Sequence, residues 1–219
     1  MKRSIAILLS VVLTLVAMLS SCSRVYDEDE VKAAAEGLLR DSMMLNSVYF
    51  GDGIRSIAND NQMGNYREAD PTHLEELGFQ SILELKALTY KTFSAEMSEK
   101  IFASAFTPLQ NDGMIVMNTR YYQAVDEETK LPTHIMVFKD YKNQIFEDNL
   151  ESYDYSSIKI ERAKGDIIYL TVDCVVKNDE GDSQVLNITF SMYEEEDGWK
   201  LNSYTYANYN EYIDSEFFN

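Results

Sequence analysis

Between Ile167 and Lys177, Ile168, Leu170, Val172, Cys174 and Val176 stand at every second position, with Tyr169, Thr171, Asp173 and Lys177 between them. Strand side chains point alternately to opposite faces, so this stretch folds as a half-buried strand and needs a second layer to cover it. Gln184 to Tyr193 repeats the pattern, with Leu186, Ile188, Phe190 and Met192 inward and Asn187, Thr189 and Ser191 outward. Lys177 to Asp182, containing Gly181, is then a hairpin loop. Glu194 to Gly198 is a second turn, and Trp199-Lys200-Leu201 opens a last strand running to about Tyr206. Met114 to Val125, His134 to Phe138 and Ile158 to Arg162 are the remaining strand candidates.

Upstream of Met114 the period is helical. Val31, Ala34, Ala35, Leu38, Ser42 and Leu45 form one stripe of a helix from Glu28 to about Ser47. The acidic run Asp27 to Glu30 opposes the dipole at its start. Gly51 to Ala69 reads as mostly loop. Asp70 caps a short helix with Pro71 at its first position, which stops near Gly78. Ser81-Ile82-Leu83-Glu84 is a capping box, followed by a face of Ile82, Leu85, Leu88 and Thr89. Ser94 caps a further helix with Met97, Ile101 and Ala105 inward, ended by Thr107-Pro108. Ala207 to Asn219 is acidic and aromatic, either a frayed helix or an ordered tail. Helices followed by a meander make an α+β domain: N-terminal helices packed on a curved antiparallel sheet formed by the C-terminal half. The expectation is a single domain over 28–219, helical over about 28–106 and β-sheet over about 114–206.

Lys2 and Arg3 precede an apolar run of 15 residues, Ile5 to Leu19. A bilayer-spanning helix needs about 20 residues, so the run is short for a permanent anchor and has the layout of a secretory signal. Leu19-Ser20-Ser21-Cys22 resembles the lipobox of bacterial lipoproteins. That resemblance implies removal of 1–21, a diacylglyceryl group on the Cys22 thiol, and a lipidated tether over 22–27. The protein would then be held on the extracytoplasmic face of the cell membrane. Without Lys2 and Arg3, 17 of the 19 basic residues face 37 acidic ones, a net charge of −20. Such a surface excludes nucleic acid as a partner, because phosphates need Lys and Arg. It gives no electrostatic attraction to anionic lipid either, so the acyl chains must do the holding. It suits a basic protein partner or weak cation binding, and solubility alone also accounts for it.

With Cys22 acylated, Cys174 is the sole thiol and no internal disulfide forms. It shares the apolar face of its strand and reads as core rather than nucleophile. His73, in the first turn of a short helix, has no partner identifiable by spacing and reads as a surface histidine rather than a neutral base, and His134, after Pro132, reads as a loop-edge histidine rather than the lining of a cavity mouth. No nucleophile elbow, zincin, phosphate-loop or paired-cysteine zinc spacing occurs. The acidic runs Asp179-Glu180-Gly181-Asp182 and Glu194-Glu195-Glu196-Asp197 lack the spacing of a calcium loop. No catalytic residue, metal ligand or cofactor is therefore assigned, and the chain reads as a non-enzyme. Tyr169, Asp173, Asn187 and Thr189 share the polar side of the two clearest strands. They line a small-ligand pocket if that side is concave and covered, or meet solvent if it is not.

The long strand, acidic turn and Gly198-Trp199-Lys200-Leu201 ending resembles nuclear-transport-factor-2-like (cystatin-like) domains, over about 81–206. That resemblance implies helices on a curved sheet. LTYKTFSAEMSEKIF (Leu88 to Phe102) and SSIKIERA (Ser156 to Ala163) resemble IseA-type inhibitors of bacterial cell-wall DL-endopeptidases. This second resemblance implies a secreted, acidic, non-enzymatic protein that blocks a peptidase cutting peptidoglycan stem peptides. The expectation is a cell-envelope lipoprotein that binds and restrains a cell-wall hydrolase or another envelope protein. Its contacts would come from Asp126, Glu127 and Glu128, from Asp179, Glu180 and Asp182, and from Glu194, Glu195, Glu196 and Asp197. A ligand-pocket protein and a structural component of an envelope assembly are the alternatives.

Overall fold

Asp27 starts the first helix, α1 (Glu28–Phe50), its carboxylate accepting from the N–H groups of Asp29 at 3.0 Å and Glu30 at 3.3 Å. The computed structural model describes residues 26–58, 62–106, 109–111, 114–116, 119–139, 149–177 and 182–205. The stripe of α1 that meets the core is Val31, Ala35, Leu39, Ser42 and Leu45. Leu39 replaces the expected Leu38, which is half-buried with Ala34 at the margin. Each residue turns by about 100°, so adjacent leucines compete for one stripe and packing decides between them. α1 also runs past Ser47, because Val48, Tyr49 and Phe50 are themselves buried.

Three shorter helices follow where the caps place them. α2 (Pro71–Leu77) is capped by Asp70, which accepts from Thr72 N–H at 2.9 Å, and ends at Gly78 with φ 80°. α3 (Ile82–Thr92) is capped by Ser81, and Glu84 reaches back to the N–H of Gln80 at 2.6 Å. α4 (Ala95–Phe106) starts with the Ser94 hydroxyl accepting from Met97 N–H at 3.3 Å.

The chain is α+β, with N-terminal helices and a C-terminal antiparallel meander. The meander is β7 (Asn149–Lys164), β8 (Ile167–Lys177), β9 (Ser183–Glu195) and β10 (Gly198–Leu201), in the order β10-β9-β8-β7. Among the described residues the expected single sheet is instead two four-stranded sheets and a hairpin. β1 (Gln62–Met63) and β2 (Tyr66–Glu68) come from the stretch that reads as loop. They join β5 (Tyr121–Val125) and β6 (Pro132–Phe138) in the order β1-β2-β6-β5, while β3 (Leu109–Asn111) pairs with β4 (Met114–Val116). The expected strand from Met114 to Val125 is thus divided between two sheets. The N–H of Arg120, just ahead of β5, donates to Ala105 O at 2.9 Å. The last strand stops at Leu201 rather than Tyr206. The proposed tail Ala207 to Asn219 lies outside the described residues.

One apolar cluster joins α1, α3, α4 and both sheets, with Leu39, Leu85, Ile101, Ile135, Leu170 and Met192 among its members. Full burial of such a side chain contributes about 1.5–3 kcal/mol. Polar groups inside it are paired. The Tyr49 hydroxyl is 2.9 Å from Thr89 Oγ1, and burial pushes its pKa up.

Candidate functional site

Tyr26 precedes α1 and packs on two turns at one end of the large sheet. Its hydroxyl donates to Gly165 O at 2.7 Å, and its ring lies 5.5 Å from that of Trp199. Gly165, with φ 62°, is in the β7–β8 turn, and Trp199 pairs with Glu194 beside the β9–β10 turn. The two turns touch: Glu194 N–H donates to Asp166 O at 3.3 Å. Lys200, buried, carries an ion pair to Asp197 at 2.9 Å and donates to Lys91 O at 3.0 Å. It thereby ties this end of the sheet to the last turn of α3. Cys22 and the signal lie outside the described residues, and Cys22 is four residues ahead of Tyr26. Four residues reach at most about 14 Å.

The acidic loops lie on different turns. Successive turns of an antiparallel meander lie at alternate ends of the sheet. Asp182 and the start of β9 are at one end, and Glu194, Glu195, Glu196 and Asp197 are at the other. β8 has 11 residues, so those ends are roughly 35 Å apart. Asp179 and Glu180 lie outside the described residues. Asp126, Glu127 and Glu128 belong to the β5–β6 turn of the other sheet. Strand direction therefore separates Asp182 from Glu194 to Asp197 within the large sheet.

Asp126 has a structural task in its own turn. Its carboxylate accepts from Thr129 N–H at 2.7 Å, from the Thr129 hydroxyl at 2.8 Å and from Glu128 N–H at 3.1 Å. These bonds, the Thr129 backbone first, hold its pKa below the ordinary carboxylate value. A depressed folded-state pKa gives stabilisation that is present above the unfolded value and is lost as pH falls through the folded one. Thr129→Val removes the hydroxyl bond and is expected to move the Asp126 carboxyl back up toward its ordinary value in an NMR titration. An unchanged titration would show that the hydroxyl contributes nothing.

The polar residues of β8 and β9 do share a face. Tyr169 pairs with Ser191, Thr171 with Thr189 and Asp173 with Asn187. The helices cover the opposite face, where Ile168, Leu170, Val172, Cys174 and Val176 are buried. Tyr169, Asp173, Asn187 and Thr189 are therefore on the side opposite the helices, and among the described residues nothing encloses them as a pocket, with Asn187 and Thr189 exposed. Their polar groups satisfy one another along the sheet. Asn187 Nδ2 donates to Asp173 Oδ1 at 2.6 Å, and the Thr171 hydroxyl donates to Glu161 at 3.2 Å. The Arg162 guanidinium stacks over the Tyr169 ring at 4.2 Å.

Both histidines have partners that spacing does not reveal. His73 Nδ1 accepts from Arg55 N–H at 2.9 Å, while the Arg55 side chain pairs with Glu76 at 2.6 Å. Burial, and then the Arg55 charge, push the His73 pKa down. His134 Nδ1 lies 2.9 Å from Glu68 Oε1 across β2 and β6. Glu68 is largely buried and holds one orientation of a half-exposed imidazole. This carboxylate–imidazole pair could orient a base, but among the described residues no serine, threonine or cysteine is hydrogen-bonded to either imidazole. Cys174 is buried, and burial pushes its thiol up to about 11, so it carries little thiolate at neutral pH. Among the described residues no three His, Cys, Asp or Glu side chains gather as a metal site needs, and no helix is long and apolar enough to cross a membrane.

Compared with protein families, with curated proteins and with solved structures, the chain matches none.

Proposed function

We propose that this chain is a lipid-anchored cell-envelope protein that acts, without catalysis, as a binding module. The partner is an envelope protein with a basic face, and a cell-wall hydrolase of the DL-endopeptidase class is the first to test. The observation that carries the reading is Tyr26. A lipobox-like Cys22 is followed within four residues by a side chain bonded to Gly165 and packed on Trp199. A tether this short suits a domain held at the membrane rather than one released from it. A net charge of −20 after removal of 1–21 gives the domain no other reason to stay near anionic lipid and favours a basic partner.

Cys22→Ala is expected to leave the chain unacylated and shift it from the membrane pellet to the soluble fraction. Membrane fractionation with mass analysis of Cys22 reads this directly. A mutant that stayed in the pellet would remove the lipoprotein reading. For the partner, the soluble domain 23–219 mixed with DL-endopeptidases of its own host should slow peptidoglycan digestion. Absence of both binding and slowing would leave the anchor reading standing and eliminate this class of partner.

A further inference from the structure

We infer that the domain stands end-on to the lipid surface, with the Tyr26–Gly165–Trp199 end facing the headgroups and the β8–β9 end facing away. This rests on the lipid anchor proposed above and adds its orientation. The attachment point is built, since Tyr26 is fixed by a hydrogen bond and a ring contact to the two turns at one end of the large sheet. The chain between that point and Cys22 spans at most about 14 Å, less than half the roughly 35 Å length of β8. α1 lies along the strands, running in the direction of β8. Its start lies beside the β7–β8 turn, and Asn46 reaches Thr205, whose carbonyl accepts from Tyr153, the β7 partner of Cys174.

Negative charge keeps the sides of the domain off an anionic surface, while the anchor holds this end near it. Asp27 to Glu30 and Glu194 to Asp197 place eight carboxylates around the attachment point. Lys200 pairs with Asp197 and Lys32 with Glu28, and Lys164 stands next to Gly165, so the collar is only partly offset. An anionic surface repels this collar over about 10 Å at ordinary ionic strength. No side of the domain is then drawn onto the bilayer. The acidic turn Glu194 to Asp197 is turned toward the lipid, and the start of β9 at Ser183 faces away from it.

The test uses the full acylated chain in phosphatidylcholine–phosphatidylglycerol vesicles carrying a headgroup-linked nitroxide. A fluorophore is placed by Glu196→Cys at the near end or by Gln184→Cys at the far end, both exposed positions. Cys174 is buried and escapes labelling. The expected result is strong quenching from residue 196 and none from residue 184. Equal quenching at both positions means a domain lying flat, and the reverse order means an inverted one; either overturns the inference. Mass analysis of Cys22 in the same sample separates the two readings. A chain without the acyl group fails the lipoprotein proposal and takes the orientation with it, whereas an acylated chain with the wrong quenching order fails the orientation alone.

Discussion

Gly53→Ala is expected to lower the stability of the domain by about 3–5 kcal/mol, measured as a shift in the urea unfolding midpoint at unchanged slope. Gly53 has φ 77°, a conformation that costs alanine about 1–2 kcal/mol. The larger part comes from what the new Cβ meets. It would collide with the Arg120 guanidinium and the Tyr121 hydroxyl. Those two groups close the end of α1. Arg120, 4% exposed, donates to Tyr49 O at 2.7 Å and to Gly51 O at 2.5 Å. The Tyr121 hydroxyl donates to Val48 O at 2.7 Å and accepts from Ile54 N–H at 3.0 Å. A cation at a helix C-terminus also complements the dipole. Displacing the plug leaves buried carbonyls without donors, at about 1–3 kcal/mol each. Gly64→Ala is the control, because Gly64 has φ 62° but open space where its Cβ would go. It is expected to lose only the backbone cost. Equal losses in the two variants would show that the Arg120–Tyr121 plug contributes nothing.

That plug is also the kind of feature a sequence hides. Arg120 acts on residues about 70 positions earlier, and nothing local marks it. Caps were legible because their chemistry is local: Asp70 with Pro71, Ser81 with Glu84, and Ser94 each begin a helix where their side chains can reach the next free N–H. The pairing of β8 with β9 was legible because two alternating strands joined by a short turn fix their own register. Pairing of β2 with β6 was not, since about 68 residues separate the partners and β2 has only three. β7 extends well before Ile158, but a register shift between Asp154 and Lys159, where the Ser156 hydroxyl donates to Asp154 at 2.6 Å, interrupts the alternation that would have marked it. The same division holds for the site. The shared polar face of Tyr169, Asp173, Asn187 and Thr189 was readable, but which side the helices take is a tertiary choice. The Glu68–His134 pair depends on the unread register of β2.

Thr205→Val is expected to cost about 2–4 kcal/mol although it replaces a hydroxyl by a methyl of similar size. Thr205 follows the end of β10 and is fully buried under α1. Its hydroxyl accepts from Asn46 Nδ2 at 3.0 Å and donates to Ser42 Oγ at 3.0 Å. Its carbonyl accepts from the Tyr153 hydroxyl at 2.6 Å, and burial pushes the pKa of Tyr153 up. The segment after Leu201 is thus held by hydrogen bonds rather than by a sheet, including Asn202 Oδ1 accepting from Ser94 Oγ at 2.7 Å and Ser203 Oγ accepting from Ser191 N–H at 2.9 Å. This explains why the chain stays ordered where the last strand was expected to continue. Valine leaves the Asn46 amide N–H without its acceptor in a dry interior, where an unmade bond costs far more than a made one contributes. Thr205→Ser keeps the hydroxyl, loses only a methyl, and is expected to cost about 1 kcal/mol. The unfolding midpoint of the valine variant should therefore fall well below that of the serine variant. The opposite order would mean that the methyl, not the hydroxyl network, holds this segment against α1.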